Sequence, residues 1–89
     1  MKSIITVVGK DKVGIIAKVS ALLAGLSINI LDISQTIMDN MFTMIMLTDT
    51  SACSESFSSV SDKLEALGEE IGLSIHIQRE DVFNSMHRI

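Results

Sequence analysis

Residues 9–35, which read GKDKVGIIAKVSALLAGLSINILDISQ, decide the fold of this 89-residue chain. The segment starts as a short charged turn with a glycine at either end, Gly9 and Gly14. Apolar residues then recur at spacings of three and four, which predicts a helix with a wide apolar stripe. These residues are Ile15, Ile16, Val19, Leu22, Leu23 and Leu26. A strand follows, so the segment is predicted to be a turn, a helix and a strand.

The rest of the chain supplies three more strands and a second amphipathic helix. The three strands are predicted at residues 3–8, 41–48 and 73–78 and the helix at residues 57–71, while the strand of the first segment covers residues 28–38. The order is therefore β-α-β-β-α-β, and residues 81–89 have apolar residues at the spacing of a short C-terminal helix. Each helix has one apolar stripe, so both should cover one face of a four-stranded antiparallel sheet. We predict an α+β, ferredoxin-like domain at residues 1–79 and an amphipathic extension at residues 80–89.

Several local signals set the expected ends of these elements. Asp39 and Asn40 suit a two-residue hairpin turn because both tolerate positive φ. Gly25 lies where a left-handed cap would end the first helix, and Gly72 is a natural stop for the second. The polar residues 51–54 can cap the start of the second helix. Gly68, inside that helix, should cost about 1 kcal/mol unless it allows close packing.

The composition favours a small oligomeric protein in a reducing compartment. Hydrophobic residues make up 47% of the chain, which favours a buried oligomer interface over a dense monomeric core. Cys53 is the only cysteine, so no disulfide can form within the chain. The N-terminal residues do not resemble a signal peptide, and no apolar run approaches the roughly 20 residues that span a bilayer. We therefore expect a cytoplasmic protein that has no membrane partner.

The charges argue against a nucleic-acid partner and are compatible with a small anionic ligand. The net charge is −4, whereas nucleic-acid binding needs a basic footprint. Four lysines nevertheless lie within the first 18 residues, and two of them, Lys10 and Lys12, flank Asp11 in the first turn. Such a cationic loop suits a small anion, although an ordinary solvated loop explains the charges equally well.

The reactive and metal-ligating side chains do not form a recognisable catalytic or metal-binding pattern. A metal chaperone of this topology needs paired cysteines in its first loop, and an acylphosphatase needs an arginine there, which Lys10 and Lys12 replace only as point charges. An RNA-recognition module needs aromatic platforms, but Phe42 is the only aromatic residue on the predicted strands. His76 and His87 have no partner at a metal-ligand spacing. We predict no enzyme, no catalytic residue, no metal and no cofactor.

The first turn does have the chemistry of a small polar binding site. Gly14 opens a helix, whose unpaired N–H groups and positive end favour a carboxylate. Asp11 can accept hydrogen bonds from an ammonium group, and the Asn29 amide offers both donors and acceptors. An α-amino acid carries both charges on one carbon, so the residue types suit it. The spacing alone is common among proteins and does not prove a site.

The combined motifs resemble the ACT domain, a regulatory module that commonly binds amino acids. The resemblance rests on residues 9–35, on the strand at residues 42–46 and on the ending QREDVFNSMHRI at residues 78–89. It is strongest with a small stand-alone subfamily of bacteria and archaea that is related to the regulatory protein of the glycine cleavage system. Val13 stands where the family usually has proline, so the resemblance implies a less rigid turn.

This resemblance implies a homodimer, in which two sheets join side by side with ligands at the interface, or a higher homo-oligomer. The implied ligand-binding residues are those of the first turn and the start of the second strand: Gly9, Lys10, Asp11, Lys12, Val13, Gly14, Asn29 and Ile30. Asn29 is expected to face the turn of the other subunit. The implied function is a non-enzymatic amino-acid sensor that acts on an unidentified partner protein. The alternative is an interaction module without a ligand, which docks through its sheet face or C-terminal tail.

Overall fold

The computed structural model describes residues 2–10 and 12–86 and confirms the predicted order of elements. The elements in chain order are β1 (Lys2–Lys10), α1 (Ile15–Gly25), β2 (Asn29–Met38), β3 (Met41–Asp49), α2 (Phe57–Ile71), β4 (Ser74–Arg79) and α3 (Glu80–Met86). Asp11 and the last three residues of the predicted tail lie outside the described residues. The division of the chain at residue 80 stays a prediction, although a helix does begin there.

The four strands form one antiparallel sheet in the order β2-β3-β1-β4. β2 and β4 are therefore the edges, and β1 runs parallel to β2 because both are antiparallel to β3. The hairpin between β2 and β3 turns at residues 39–40, as predicted, with Met38 opposite Met41 and Asp39 at φ 56°. The β2–β3 register shifts between Ile30 and Asp32, which is a bulge on the edge strand.

The core lies between the sheet and the helices α1 and α2. Alternate residues of the strands point to this side, and each helix contributes its apolar stripe. The hydrophobic residues with no solvent exposure in this layer are Ile5, Val7, Val19, Leu23, Met44, Met46 and Leu64. Burying one such side chain stabilises the fold by about 1.5–3 kcal/mol relative to leaving it exposed. The two predicted stripes therefore meet on one face of the sheet, as expected.

Two of the predicted helix ends are wrong in their detail. Gly25 is the last residue of α1 and is not left-handed; the positive φ of 59° falls on Ser27. The cap of α2 is Ser56, beyond residues 51–54, and its hydroxyl accepts a 3.1 Å hydrogen bond from the Ser59 amide. Gly72 does end α2 in the left-handed conformation, at φ 75°. The left-handed residue falls where the chain changes direction after the helix, and residues other than glycine can adopt that conformation.

The opposite face of the sheet is partly covered by α3, which lies against β1 and β4. Ile4, on that face, is 8% exposed. Towards β2 the same face carries exposed apolar side chains, those of Met38, Met41 and Ile45. Among the described residues, none of the helices is long and apolar enough to cross a membrane.

Candidate functional site

The N-terminus of α1 has no side-chain cap among the described residues. Gly14 is the N-cap residue, at φ 87° and ψ 6°, and no side chain of residues 2–10 or 12–86 accepts a hydrogen bond there. The first hydrogen bond that closes the helix joins the Lys18 amide to the Gly14 carbonyl at 3.0 Å. The N–H groups of residues 15–17 therefore lack acceptors within the helix. A left-handed conformation is one that glycine adopts without steric cost, which explains glycine at position 14.

Gly14 and residues 15–17 line a cavity of about 220 Å³ between α1 and the edge strand β2. We call it the first-turn cavity. Its lining consists of Lys12, Gly14, Ile15, Ile16, Ala17, Gln35, Ile37 and Phe42. Sites for drug-sized ligands usually occupy about 300–1,000 Å³, so this cavity suits a smaller molecule. Because β2 is an edge of the sheet, the cavity lies at the side of the domain where a second chain could close it.

The structure places the residues of the predicted first-turn site in different environments. Gly9 is packed so closely that a Cβ there would collide with Cδ2 of Leu73. Lys10 is exposed at the end of β1, opposite Met41, and Val13 is completely exposed. Asp11 lies outside the described residues. Of the predicted residues that the structure describes, only Lys12 and Gly14 line the first-turn cavity.

The Lys12 side chain reaches away from the turn. Its Nζ donates a 2.7 Å hydrogen bond to the carbonyl oxygen of Ile71, the last residue of α2. Lys12 also lines the first-turn cavity, and its ammonium group already has an acceptor in the Ile71 carbonyl.

Asn29 and Ile30 are not brought near the first turn within one chain. Asn29 is opposite Asp49, and Asp49 is opposite Lys2 at the start of β1. The first turn follows the other end of β1, eight residues further on, which corresponds to about 26 Å. Ile30 is half-buried against the core beside Thr48. A site that combines Asn29 with the first turn thus requires two chains.

Gln35 is the cavity residue that the sequence analysis missed. It lies opposite Met44, on the side of the sheet that faces the helices, between Ile33 and Ile37 of the same face. A polar residue that interrupts an apolar face of a predicted strand was the available signal. Its amide contributes both donors and an acceptor to the wall of the cavity.

Resolved changes of pKa among the described residues lie away from the first-turn cavity. The hydrogen bonds from Lys63 at 2.8 Å and from Ser59 at 2.6 Å hold the pKa of Glu55 below its ordinary value. Hydrogen bonds from the Ser51 side chain and backbone lower the pKa of Asp49. Within residues 2–10 and 12–86, no three His, Cys, Asp or Glu side chains converge to hold a metal ion.

An apolar surface continues from the cavity along the edge of the domain. Ile33 and Ile37 of β2 are 39% and 53% exposed, and Ile16 of α1 is 40% exposed. Ile33 and Ile37 point to the helix side of the sheet, where α1 also lies. We call these three residues the β2 edge patch. Large apolar side chains grouped beside the free edge of a sheet are typical of an association surface.

Comparison with known proteins identifies this arrangement of turn, helix and edge strand. Residues 3–78 match the ACT domain family. The chain belongs to that family. A UPF0237 protein of Clostridium acetobutylicum is 62% identical over 89 residues, which is the whole of both chains. The solved structure of an ACT domain protein from Streptococcus pneumoniae has a TM-score of 0.82 and 46% identity, and the match covers 93% of each chain.

A regulatory protein is among the structural neighbours of this ACT domain. The crystal structure of a putative glycine cleavage system transcriptional repressor matches with a TM-score of 0.70 and 28% identity. The match covers 86% of this chain and 44% of that chain, so the repressor contains additional sequence. The predicted resemblance to the ACT family and to the glycine cleavage regulator is confirmed.

Proposed function

We propose that this ACT domain is a cytoplasmic sensor of a small molecule, of the α-amino acid class, and that it has no catalytic role of its own. The observation that carries the proposal is the N-terminus of α1, which no side chain among the described residues caps and whose residues 14–17 line the first-turn cavity. The N–H groups of residues 15–17 and the positive end of the helix favour a carboxylate. The Gln35 amide lies in the same wall and accepts from an ammonium group.

The proposed sensor works as a homodimer joined through β2. An antiparallel pairing of two β2 strands would satisfy the main-chain groups on that edge and cover the β2 edge patch with the second copy. If the pairing is centred on the middle of β2, Asn29 of the second copy comes opposite the end of β2 that precedes the hairpin turn. That end lies beside the first-turn cavity, because Ile37 lines the cavity. This arrangement reunites the two separated halves of the predicted site.

Signalling by such a dimer requires the ligand to bind one dimer geometry better than another. A difference of about 1–3 kcal/mol between the two states is typical of allosteric coupling. A cavity at the junction of two chains provides that difference, since a ligand there contacts both chains and is sensitive to their relative placement. We propose that the output passes to a separate protein.

Isothermal titration of the full chain with each of the twenty amino acids tests the proposal. The expected result is heat of binding for at least one of them at submillimolar to millimolar concentration. Gln35→Ala should weaken that binding by about tenfold, the effect of about 1.4 kcal/mol from a hydrogen bond to a charged group. Thr36→Ala is the matched control, because Thr36 is exposed on the same strand but points to the opposite face. No heat with any amino acid would contradict the proposal.

The alternative is an interaction module without a ligand, and the exposed apolar sheet face favours it. Met38, Met41 and Ile45 present that surface beside the edge strand. Affinity capture from an extract with the wild type, Ile45→Lys and Gln35→Ala separates the two functions. An interaction module predicts a partner that is lost with Ile45→Lys and kept with Gln35→Ala. The sensor predicts that amino-acid binding depends on Gln35 and is unaffected by Ile45→Lys.

A further inference from the structure

Lys12 joins two parts of the fold that are 59 residues apart in the chain. Its ammonium group donates a 2.7 Å hydrogen bond to the Ile71 carbonyl at the end of α2. The last carbonyl groups of a helix lack partners within the helix and carry its negative partial charge, so a cation is favourable there. The bond therefore connects the first turn to the C-terminus of α2. We call this contact the Lys12 clasp.

Gly72 provides the space that the Lys12 clasp occupies. It is the C-cap of α2, at φ 75°, and its amide donates to the Gly68 carbonyl. A Cβ at position 72 would lie 2.8 Å from Nζ of Lys12, closer than a side chain and an ammonium group can approach. One glycine thus serves both the left-handed end of the helix and the approach of the ammonium group.

Lys12 also stands between two cavities. One is the first-turn cavity, and the other, of about 200 Å³, lies on the α2 side and is lined by Lys12, Val13, Ile15, Lys18, Glu70 and Ile71. Lys12, Gly14 and Ile15 all line the first-turn cavity, so Lys12 belongs to the same wall as the helix N-terminus where the proposed carboxylate would bind. An ammonium group has three donors and no acceptor. A carboxylate within reach competes with the Ile71 carbonyl for it.

We propose that Lys12 is a movable clasp that reports occupancy of the first-turn cavity to the junction between α2 and β4. With the cavity empty, the ammonium group holds the Ile71 carbonyl. With a carboxylate bound, the ammonium group turns to it and releases the end of α2. This inference rests on the proposed function, since it assigns the route by which that site acts on the rest of the domain.

The energies favour such an exchange. The Lys12–Ile71 bond is exposed to solvent, where an ammonium–carbonyl contact contributes little. A charge-assisted bond between an ammonium group and a carboxylate is shorter and stronger than one to a neutral carbonyl. The junction is also contacted by the strand before the turn, because Gly9 packs directly against Leu73. Motion of the turn therefore reaches residues 71–73 by two contacts.

Amide hydrogen exchange followed by NMR on the full chain tests the clasp without a ligand. The reporters are the amides of Gly72 and Leu73, which both donate to the Gly68 carbonyl, the latter at 2.8 Å. Lys12→Met keeps most of the stem and removes the ammonium group. It should raise exchange at both amides by about twofold to fivefold, the effect of losing one solvent-exposed contact of a charged group. Lys18→Met, which removes a positive charge from the cavity on the α2 side, should leave exchange at both amides unchanged. Equal exchange in wild type and Lys12→Met would overturn the clasp.

The second arm adds each of the twenty amino acids at millimolar concentration. An amino acid that shifts the amides of residues 15–17 should raise Gly72 and Leu73 exchange in the wild type to the Lys12→Met level. In Lys12→Met the same amino acid should bind more weakly and leave Gly72 and Leu73 without further change. Shifts at residues 15–17 with unchanged exchange at Gly72 and Leu73 would overturn the clasp and leave the sensor intact. If none of the twenty shifts residues 15–17, the sensor fails and the clasp fails with it.

Discussion

The Thr48 hydroxyl donates a 2.9 Å hydrogen bond to the main-chain oxygen of Ser3, its Cα partner across β1 and β3. Both residues are completely buried. The Ser3 hydroxyl is in the opposite situation, because it has no hydrogen-bond partner among the described residues. A buried hydroxyl that is bonded contributes to stability, whereas one without a partner retains its cost of desolvation. Two neighbouring hydroxyl groups thus have effects of opposite sign.

We predict that Thr48→Val lowers the free energy of unfolding by about 1 kcal/mol, because it keeps the shape and removes the bond. Ser3→Ala should leave stability unchanged or raise it by up to about 1 kcal/mol, since it removes an unsatisfied buried group. Urea unfolding followed by circular dichroism measures both. A loss of stability in Ser3→Ala as large as that in Thr48→Val would contradict the prediction.

Two helical glycines should respond in opposite directions to alanine. A Cβ at Gly68 would lie 2.6 Å from the Leu73 carbonyl oxygen, so Gly68→Ala should lower the free energy of unfolding by about 1–3 kcal/mol through overpacking. Gly25 has open space around it and a helical conformation, so Gly25→Ala should raise the free energy of unfolding by about 0.5–1 kcal/mol. Both variants remove the same backbone freedom, so the difference between them isolates the contact with Leu73. Thermal and urea unfolding provide the measurements.

Glu55 should make the stability of the fold depend on pH, with a loss at acidic pH. Its hydrogen bonds from Lys63 and Ser59 hold its pKa below the ordinary value, so the folded state favours the charged form. The stabilisation is present above the ordinary pKa of glutamate and is lost as the pH falls through the lowered pKa. We expect Glu55→Gln to have a slightly lower Tm than wild type at pH 7 and an equal Tm at about pH 3. Glu65→Gln, at an exposed position of α2, is the control; a pH-independent difference for Glu55→Gln would exclude this origin.

The proposed β2 dimer makes a prediction about oligomeric state. Ile37→Lys places a charge in the β2 edge patch and should raise the dissociation constant of the dimer by at least about 30-fold, or about 2 kcal/mol. Ile45→Lys places the same charge on the open face of β3, outside that patch, and should leave the dimer intact. Analytical ultracentrifugation over a range of concentrations measures both constants. Dissociation by Ile45→Lys alone would mean that the chains associate through the sheet face.

The periodicity of the sequence was sufficient to predict the elements and their packing. In α1 the three- and four-residue spacing correctly places Ile15, Val19 and Leu23 in the core. Ile16 belongs to the same stripe but is exposed, because the stripe is wider than the surface that one sheet can cover. Such an excess is visible in the sequence only as extra hydrophobicity. The sheet order was needed to place it beside the exposed side chains of β2.

The ends of the helices were less predictable, because several residues carry the same local signal. Serine occurs repeatedly between residues 51 and 59, and each hydroxyl is a possible cap. Ser56 is the cap because its backbone is extended and its hydroxyl reaches the Ser59 amide. In the same way, the left-handed residue after α1 is Ser27 because the chain must turn there to begin β2.

The order of the elements, the amphipathic faces and the glycine that opens α1 follow from the sequence, because these depend on residues close together in the chain. The fold was needed to show that Asn29 and the first turn lie at opposite ends of the sheet, about 26 Å apart along β1, and that Lys12 contacts Ile71. These relationships follow from the registers of β2, β3 and β1 and from the packing of α2 beside the turn. They join residues far apart in the chain, and local periodicity carries no information about such distances.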